Sequence, residues 1–173
     1  MTTRMRRPFR DVAVGGTFDA LHRGHKILLR TAFRVGDRVL IGLSRNGFVR
    51  RLRKDHRVDP YLKRKRGLTS FLKKEGVLQR GRIVPLDDPY GPAINDSGVR
   101  ALVVSRATKR MADKINLVRR RRRLKPLSVV SIGMVLAEDF EPISSTRIRA
   151  GEIDREGYLS RSGSRRRGRL SRK

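Results

Sequence analysis

Short apolar runs alternate along this chain with longer stretches whose apolar residues recur every three or four positions. Val12-Ala13-Val14 runs into Gly15-Gly16 and reads as a buried strand over 11–14, closed by a glycine turn. From His25 to Phe33, the residues Ile27, Leu28, Leu29, Ala32 and Phe33 favour a helix that Gly36-Asp37 stops. Val39 to Leu43 is apolar on both faces, as a central parallel strand should be. Residues 44–58 are polar and basic and read as a loop with room for a short helix. Asp59-Pro60 then opens a helix with Asp59 as N-cap, an apolar stripe at Leu62, Leu68, Phe71 and Leu72, and a stop at Gly76. Arg82–Leu86 reads as a third strand. Asp87-Asp88-Pro89-Tyr90-Gly91-Pro92 reads as a shaped loop. Ala101–Val104 forms a fourth strand, Ala107–Leu124 a helix with Met111, Ile115 and Val118 on one face, and Leu127–Val135 a fifth strand. Ile143–Ala150 ends the pattern as a turn and short helix beginning at Ser144-Ser145.

This alternation predicts an α/β fold: a Rossmann-like, doubly wound, five-stranded parallel sheet in a single domain over residues 11–157. Ligands of such sheets sit beyond the carboxyl ends of the strands, so the loop after the first strand and the segment after the fifth should meet at one site. Residues 1–10 form a basic N-terminal tail. Residues 158–173, dominated by Ser, Gly and Arg, read as a basic, disordered C-terminal tail.

Composition narrows the chemistry. The chain has 173 residues and no cysteine, which removes disulfides, a cysteine nucleophile, thiolate-bound zinc and iron–sulfur clusters. It fits a reducing compartment, and a cytoplasmic location is the expectation. No apolar run approaches the roughly 20 residues of a membrane span, and no secretory h-region follows the basic start. The net charge of +28 points at polyanionic partners. It is unevenly spread: both tails are basic, residues 45–82 hold 14 basic against 3 acidic residues, and residues 106–125 hold 10 against 1. The remaining stretches are near neutral, and they carry the motifs.

The first motif is Gly15-Gly16-Thr17-Phe18-Asp19-Ala20-Leu21-His22-Arg23-Gly24-His25. It has neither the dinucleotide fingerprint nor a P-loop. Small residues at the strand end admit a nucleotide to the backbone. Two imidazoles three apart share one face of a starting helix, whose N-terminus favours phosphate. Gly24 removes a side chain where a base or ribose could pack. Two histidines so spaced, with no third ligand nearby, make a poor metal site. His56, a lone imidazole in a basic loop, reads as an ordinary surface or core residue. The second motif, Pro142-Ile143-Ser144-Ser145-Thr146-Arg147-Ile148-Arg149, offers hydroxyls, free N–H groups and a fixed charge at Arg147. Asp87-Asp88 reads as turn chemistry.

Gly-Gly-Thr-Phe-Asp with His22-x-Gly24-His25, followed far downstream by Ile143-Ser-Ser-Thr-x-Ile-Arg149, resembles the nucleotidyltransferase superfamily, which shares fold and signature with class I aminoacyl-tRNA synthetases. More closely, the chain looks like the archaeal-type phosphopantetheine adenylyltransferases, on Val14–Asp19, Asp59-Pro60-Tyr61, Leu86–Ala93, Ala101–Ser105, Glu138-Asp139 and Ile143–Asp154. The resemblance implies transfer of an adenylyl group from ATP to 4′-phosphopantetheine, giving 3′-dephospho-coenzyme A and pyrophosphate by in-line attack. It implies His22, His25, Lys54 and Arg147 as catalytic residues. It implies Gly15, Gly16, Thr17, Phe18, His22, Gly24, His25, Ser144, Ser145, Thr146 and Arg147 around ATP, Thr17, Asp19 and Lys54 on the acceptor, and Mg²⁺ held by phosphates rather than by protein ligands. Two positions depart from the family pattern: Arg23 stands where an acidic or small polar residue is usual, and Arg106-Ala107-Thr108 where a Glu-Thr pair is usual. A related enzyme acting on FMN, nicotinamide mononucleotide or an alcohol phosphate is the alternative within the superfamily. Arg119–Arg123 and the tail suggest weak association with nucleic acid and support a second alternative, a basic nucleic-acid-associated protein with a vestigial site.

Overall fold

The computed structural model describes residues 7–52 and 56–160. Five strands, β1 (Phe9–Gly16), β2 (Gly36–Ser44), β3 (Gly81–Leu86), β4 (Ala101–Ser105) and β5 (Ser128–Ile132), form one sheet in the order β3-β2-β1-β4-β5, every pair parallel. The helices are α1 (Arg23–Val35), α2 (Asn46–Arg51), α3 (Tyr61–Lys74), α4 (Lys109–Arg121) and α5 (Ser145–Arg149). The chain leaves β1 in one direction to β2 and β3, then returns across it to β4 and β5. This reversal puts the ligand crevice of a doubly wound sheet beyond the carboxyl ends of β1 and β4.

The period of two along each strand divides the core between the faces. Val12, Val14, Val39, Ile41, Leu43, Ala101 and Val103 face α1 and α3, packing on Leu28, Leu29, Ala32, Phe33, Leu68 and Leu72. Ala13, Leu102 and Val104 face the other way, onto Ala112 and Ile115 of α4 with Ala93, Val99 and Leu127. On that second face Gly15 and Gly42 carry no side chain. A Cβ at Gly42 would lie 2.7 Å from Leu86 Cδ1. Leu86 takes the room beside Gly42, and around it this face stays hollow toward the strand ends.

The elements differ from expectation at places with physical causes. The strand β1 begins at Phe9, so the sheet takes in residues assigned to the tail, and Arg7 Nε donates to Phe33 O at 3.1 Å. Asp59 does not cap α3. Pro60 holds that position with ψ 150°, while the Asp59 carboxylate pairs with Lys63 (3.1 Å) and Arg149 (2.9 Å). The fifth strand stops at Ile132, and Val135 packs instead on a small cluster of Ala137, Ile143 and Ile153. Leu159, assigned to the tail, bridges to Ile153, and its N–H donates to Glu138 Oε2 at 2.9 Å. On α4 the buried residues are Ala112, Ile115 and Arg119, with Met111 and Val118 half-buried. Arg119 is 1% exposed and donates to the carbonyls of Lys125, Ala93 and Asp96, so one member of the five-arginine run ties a loop rather than facing solvent.

Candidate active site

A cavity of about 620 Å³ opens over the strand ends on the hollow face. Part of its wall is polar. It is formed by Gly15, Gly16, Thr17, Phe18, His22 and His25 from β1 and the start of α1, by Ser144, Ser145 and Thr146 from the start of α5, and by His56. The rest of the wall is mainly apolar, with Leu40, Val84, Leu86, Pro89, Tyr90, Pro92, Leu102 and Met111, and it also takes in Arg110 and Lys114 of α4. A second, polar cavity of about 400 Å³ shares His56 and Thr146 with the first and adds Arg57, Asp59 and Arg149.

The histidine pair belongs to the polar wall of the first cavity. The His22 and His25 rings stack with centroids 3.8 Å apart, Phe18 leans on His25 at 5.3 Å, and the His22 main-chain N–H is directed at His25 Nδ1 (3.5 Å), in the manner of a capping box. Gly24 is not on the cavity wall. A Cβ there would sit 3.1 Å from His22 ring atoms, so this glycine makes room for the imidazole rather than for a nucleotide. Arg23 turns away, its guanidinium donating to Leu136 O and its N–H to Arg155 O (2.9 Å), which explains why a cation is accommodated between the histidines.

Three charged side chains hold the loop after β1. Phe18 and Ala20 have φ of 48° and 45°, left-handed values that cost a non-glycine residue on the order of 1 kcal/mol each. Such a loop persists only when its surroundings over-determine it. Arg64 of α3, 4% exposed, donates to Thr17 O (2.7 Å), Ser44 O (2.8 Å) and Asp59 O (2.7 Å). Ser145 Oγ donates to Asp19 O at 2.8 Å, joining the two motifs directly. The Asp19 carboxylate, with no exposed surface, accepts from Arg149 Nε (3.1 Å) and Nη2 (2.8 Å) and from the Asp59 N–H (3.0 Å). Burial pushes its pKa up, but the Arg149 hydrogen bonds, the Asp59 N–H and the Arg149 charge outweigh that, leaving it below the usual carboxylate range. Arg149 is held above its ordinary value by the same contacts.

Two further expected site residues lie off the cavity wall. Asp19, expected on the acceptor substrate, is enclosed by Arg149 and is absent from the cavity wall. Arg147, expected on phosphates, is bound by Asp139 (2.6 Å), Glu152 (2.9 Å) and Pro142 O (3.2 Å) and also stays off that wall. Lys54 lies outside the described residues. Asp88 Oδ1 accepts from the Tyr90 and Gly91 N–H groups (2.7 Å each), the turn chemistry expected of that loop. Ala107 and Thr108 form wall, so no carboxylate stands at the departing position. Arg64 and His56 were missed. Arg64 is hidden in a basic stretch, and His56 has no motif around it.

The family model described as cytidylyltransferase-like matches residues 13–151, and the chain belongs to that family of nucleotidyltransferases. Among curated relatives, phosphopantetheine adenylyltransferase of Methanothermobacter thermautotrophicus is 43% identical over 90% of this chain and 92% of its own length. The enzyme of the same name from Methanopyrus kandleri is 47% identical over 84% and 92%. A crystal structure of a protein of unknown function from Archaeoglobus fulgidus superposes with a TM-score of 0.64 at 32% identity, covering 70% of this chain and 88% of that one. Tyrosyl-tRNA synthetase of the same organism shares the fold at a TM-score of 0.52 and 12% identity, over 80% and 59% of the two chains.

Proposed function

We propose that this chain transfers the adenylyl group of ATP to 4′-phosphopantetheine, yielding 3′-dephospho-coenzyme A and pyrophosphate in coenzyme A biosynthesis. The observation that carries this reading is a cavity whose wall is mixed. Its imidazoles and hydroxyls suit a triphosphate, and its larger apolar surface suits the pantetheine chain. The names of the relatives agree with it.

A non-bridging oxygen of the acceptor phosphate attacks the α-phosphorus in line. The new P–O bond forms as the bond to the α,β-bridging oxygen breaks, and that oxygen leaves on pyrophosphate with the electron pair. No protein nucleophile is required, so positioning and charge stabilisation do the catalysis. The imidazoles of His22 and His25 meet the α-phosphate at the start of α1, and the Thr17 hydroxyl meets the incoming phosphate. The hydroxyls of Ser144 and Thr146 meet the leaving β- and γ-phosphates, while Gly15 and Gly16 let the nucleotide lie against the backbone. Ser145 holds the two loops in register. Among the described residues the cavity wall has no carboxylate. This suits a Mg²⁺ ion carried by the triphosphate and water, which when bound neutralises phosphate charge. No helix among the described residues is long and apolar enough to cross a membrane, and a cytoplasmic setting, where ATP is abundant, fits the reading.

Pyrophosphate release by the purified protein tests it. Turnover is expected with ATP and 4′-phosphopantetheine. Turnover with FMN or nicotinamide mononucleotide as acceptor, and none with 4′-phosphopantetheine, overturns the assignment.

A further inference from the structure

His56 has no part in the chemistry above, yet its side chain is only 8% exposed and forms the partition between the two cavities. Its Nδ1 lies 3.1 Å from Thr146 Oγ1, and its Nε2 lies 3.5 Å from the enclosed carboxylate oxygen Asp19 Oδ2. A carboxylate, an imidazole and a hydroxyl thus stand in series, ending at a hydroxyl on the cavity wall.

The protonation states of this series have different consequences. With a single proton on Nε2, directed at Asp19, the bare Nδ1 takes the Thr146 hydroxyl proton and leaves oxygen lone pairs toward the cavity, which repel a phosphate. With a single proton on Nδ1, the Nε2 lone pair faces a carboxylate and is repelled in turn. The imidazolium satisfies both ends. Nε2–H faces Asp19, Nδ1–H donates to Thr146 Oγ1, and the hydroxyl proton is released toward an anionic oxygen. Among the described residues, the charged and titratable groups around the ring are Asp19 from the loop after β1, Arg149 from α5, Arg57 and Asp59 from its own segment, and His22 and His25 across the cavity. Both carboxylates are already partnered by Arg149, and Asp59 also by Lys63, so an incoming triphosphate supplies the anionic charge that an imidazolium needs.

We propose that His56 is a positioning residue for ATP: triphosphate binding draws a proton onto His56, and the Asp19–His56–Thr146 series then presents the Thr146 hydroxyl as a donor to phosphate. This rests on the ATP site assigned above, and deepens it.

The test is calorimetric titration of the whole chain with Mg-ATP, without acceptor, in buffers of differing ionisation enthalpy at mildly alkaline pH. Turnover with 4′-phosphopantetheine is measured alongside. The wild type takes up protons on binding ATP. In His56→Asn the amide nitrogen takes the Nδ1 position. Affinity then stays within about threefold of wild type and the uptake falls, since a neutral donor replaces a titrating one. In His56→Gln the amide lies at the Nε2 position and serves only Asp19, so ATP binds roughly tenfold more weakly. Thr146→Val matches the Gln variant in affinity. Equal proton uptake in wild type and both His56 variants would trace the proton to His22 or His25 and overturn the proposal. So would wild-type affinity in His56→Gln, or no uptake by the wild type. Absent turnover with normal ATP binding would instead strike the acceptor assignment and leave this inference standing.

Discussion

Replacing Asp19 by Asn should separate the charge of this carboxylate from its shape. Asn keeps one oxygen for the Asp59 N–H, now 3.0 Å from Asp19 Oδ1. Its amide nitrogen must face the guanidinium that donates to both carboxylate oxygens, at 3.1 and 2.8 Å. One of the two Arg149 bonds is lost and a donor meets a donor. Breaking a buried pair costs about 3–5 kcal/mol. The Arg149 side chain is 31% exposed and can recover some hydration, which puts the expected loss near the lower end, about 3 kcal/mol. For a chain of this length that lowers Tm by about 6–12 °C. The sign with pH follows from the direction of the shift. The folded carboxyl lies below its ordinary value, so its contribution is complete above the ordinary carboxylate range and disappears as pH falls through the lowered folded value. Urea unfolding of wild type and variant across this range is the assay. A difference under about 1 kcal/mol at neutral pH, or a difference that persists unchanged after the carboxyl has been protonated, would refute the assignment of Asp19 as the lock of this loop.

Arg64→Leu leaves three carbonyls unpaired, and urea unfolding should show a loss of about 3 kcal/mol, with Arg64→Lys recovering less than half because one ammonium cannot span Thr17, Ser44 and Asp59. Arg119→Met should cost about 2–4 kcal/mol by the same measure, whereas Arg121→Met, on the exposed side of α4, should stay within about 0.5 kcal/mol. Ending the chain after Ser160 should leave pyrophosphate release at its wild-type rate and weaken any salt-sensitive binding of nucleic acid in an electrophoretic assay. Ending it after Gly157 also removes the Leu159 contacts to Ile153 and Glu138 and should lower Tm.

The five-stranded parallel sheet and the meeting of the two motifs are legible in the sequence because each rests on a local pattern. Val12–Val14 and Val39–Leu43 are apolar runs flanked by glycine, and Ser144-Ser145-Thr146 has the composition of a helix start. What escaped depends on contacts between distant residues. Asp59 has the look of an N-cap, but the competition for its carboxylate is decided by Arg149, ninety positions on. Arg147 and Arg149 are equivalent in spacing arguments. Only the fold shows that Asp139 and Glu152 take one and Asp19 the other. A missing side chain at Gly24 makes room, but sequence does not show for what, and in the fold the room is taken by His22.

The arginines make the same point about charge. Arg64 and Arg119 are nearly without exposed surface, and their hydrogen bonds go to carbonyl oxygens rather than to a paired carboxylate. Loops that turn away from regular structure leave such oxygens unmatched, and one guanidinium can serve three of them. Burial lowers the pKa of both groups, yet from so high a starting value that each stays charged. These cations therefore add to the net charge while acting as structural ties, and they are enclosed where a polyanion cannot reach them. Among the described residues of the cavity wall, the permanent charges are instead those of Arg110 and Lys114, which attract an anionic ligand, and no carboxylate joins them. An attraction of that kind between exposed charges is screened over about 8 Å at physiological salt. It accordingly speeds the encounter with an anion, while orientation depends on contacts at hydrogen-bond range.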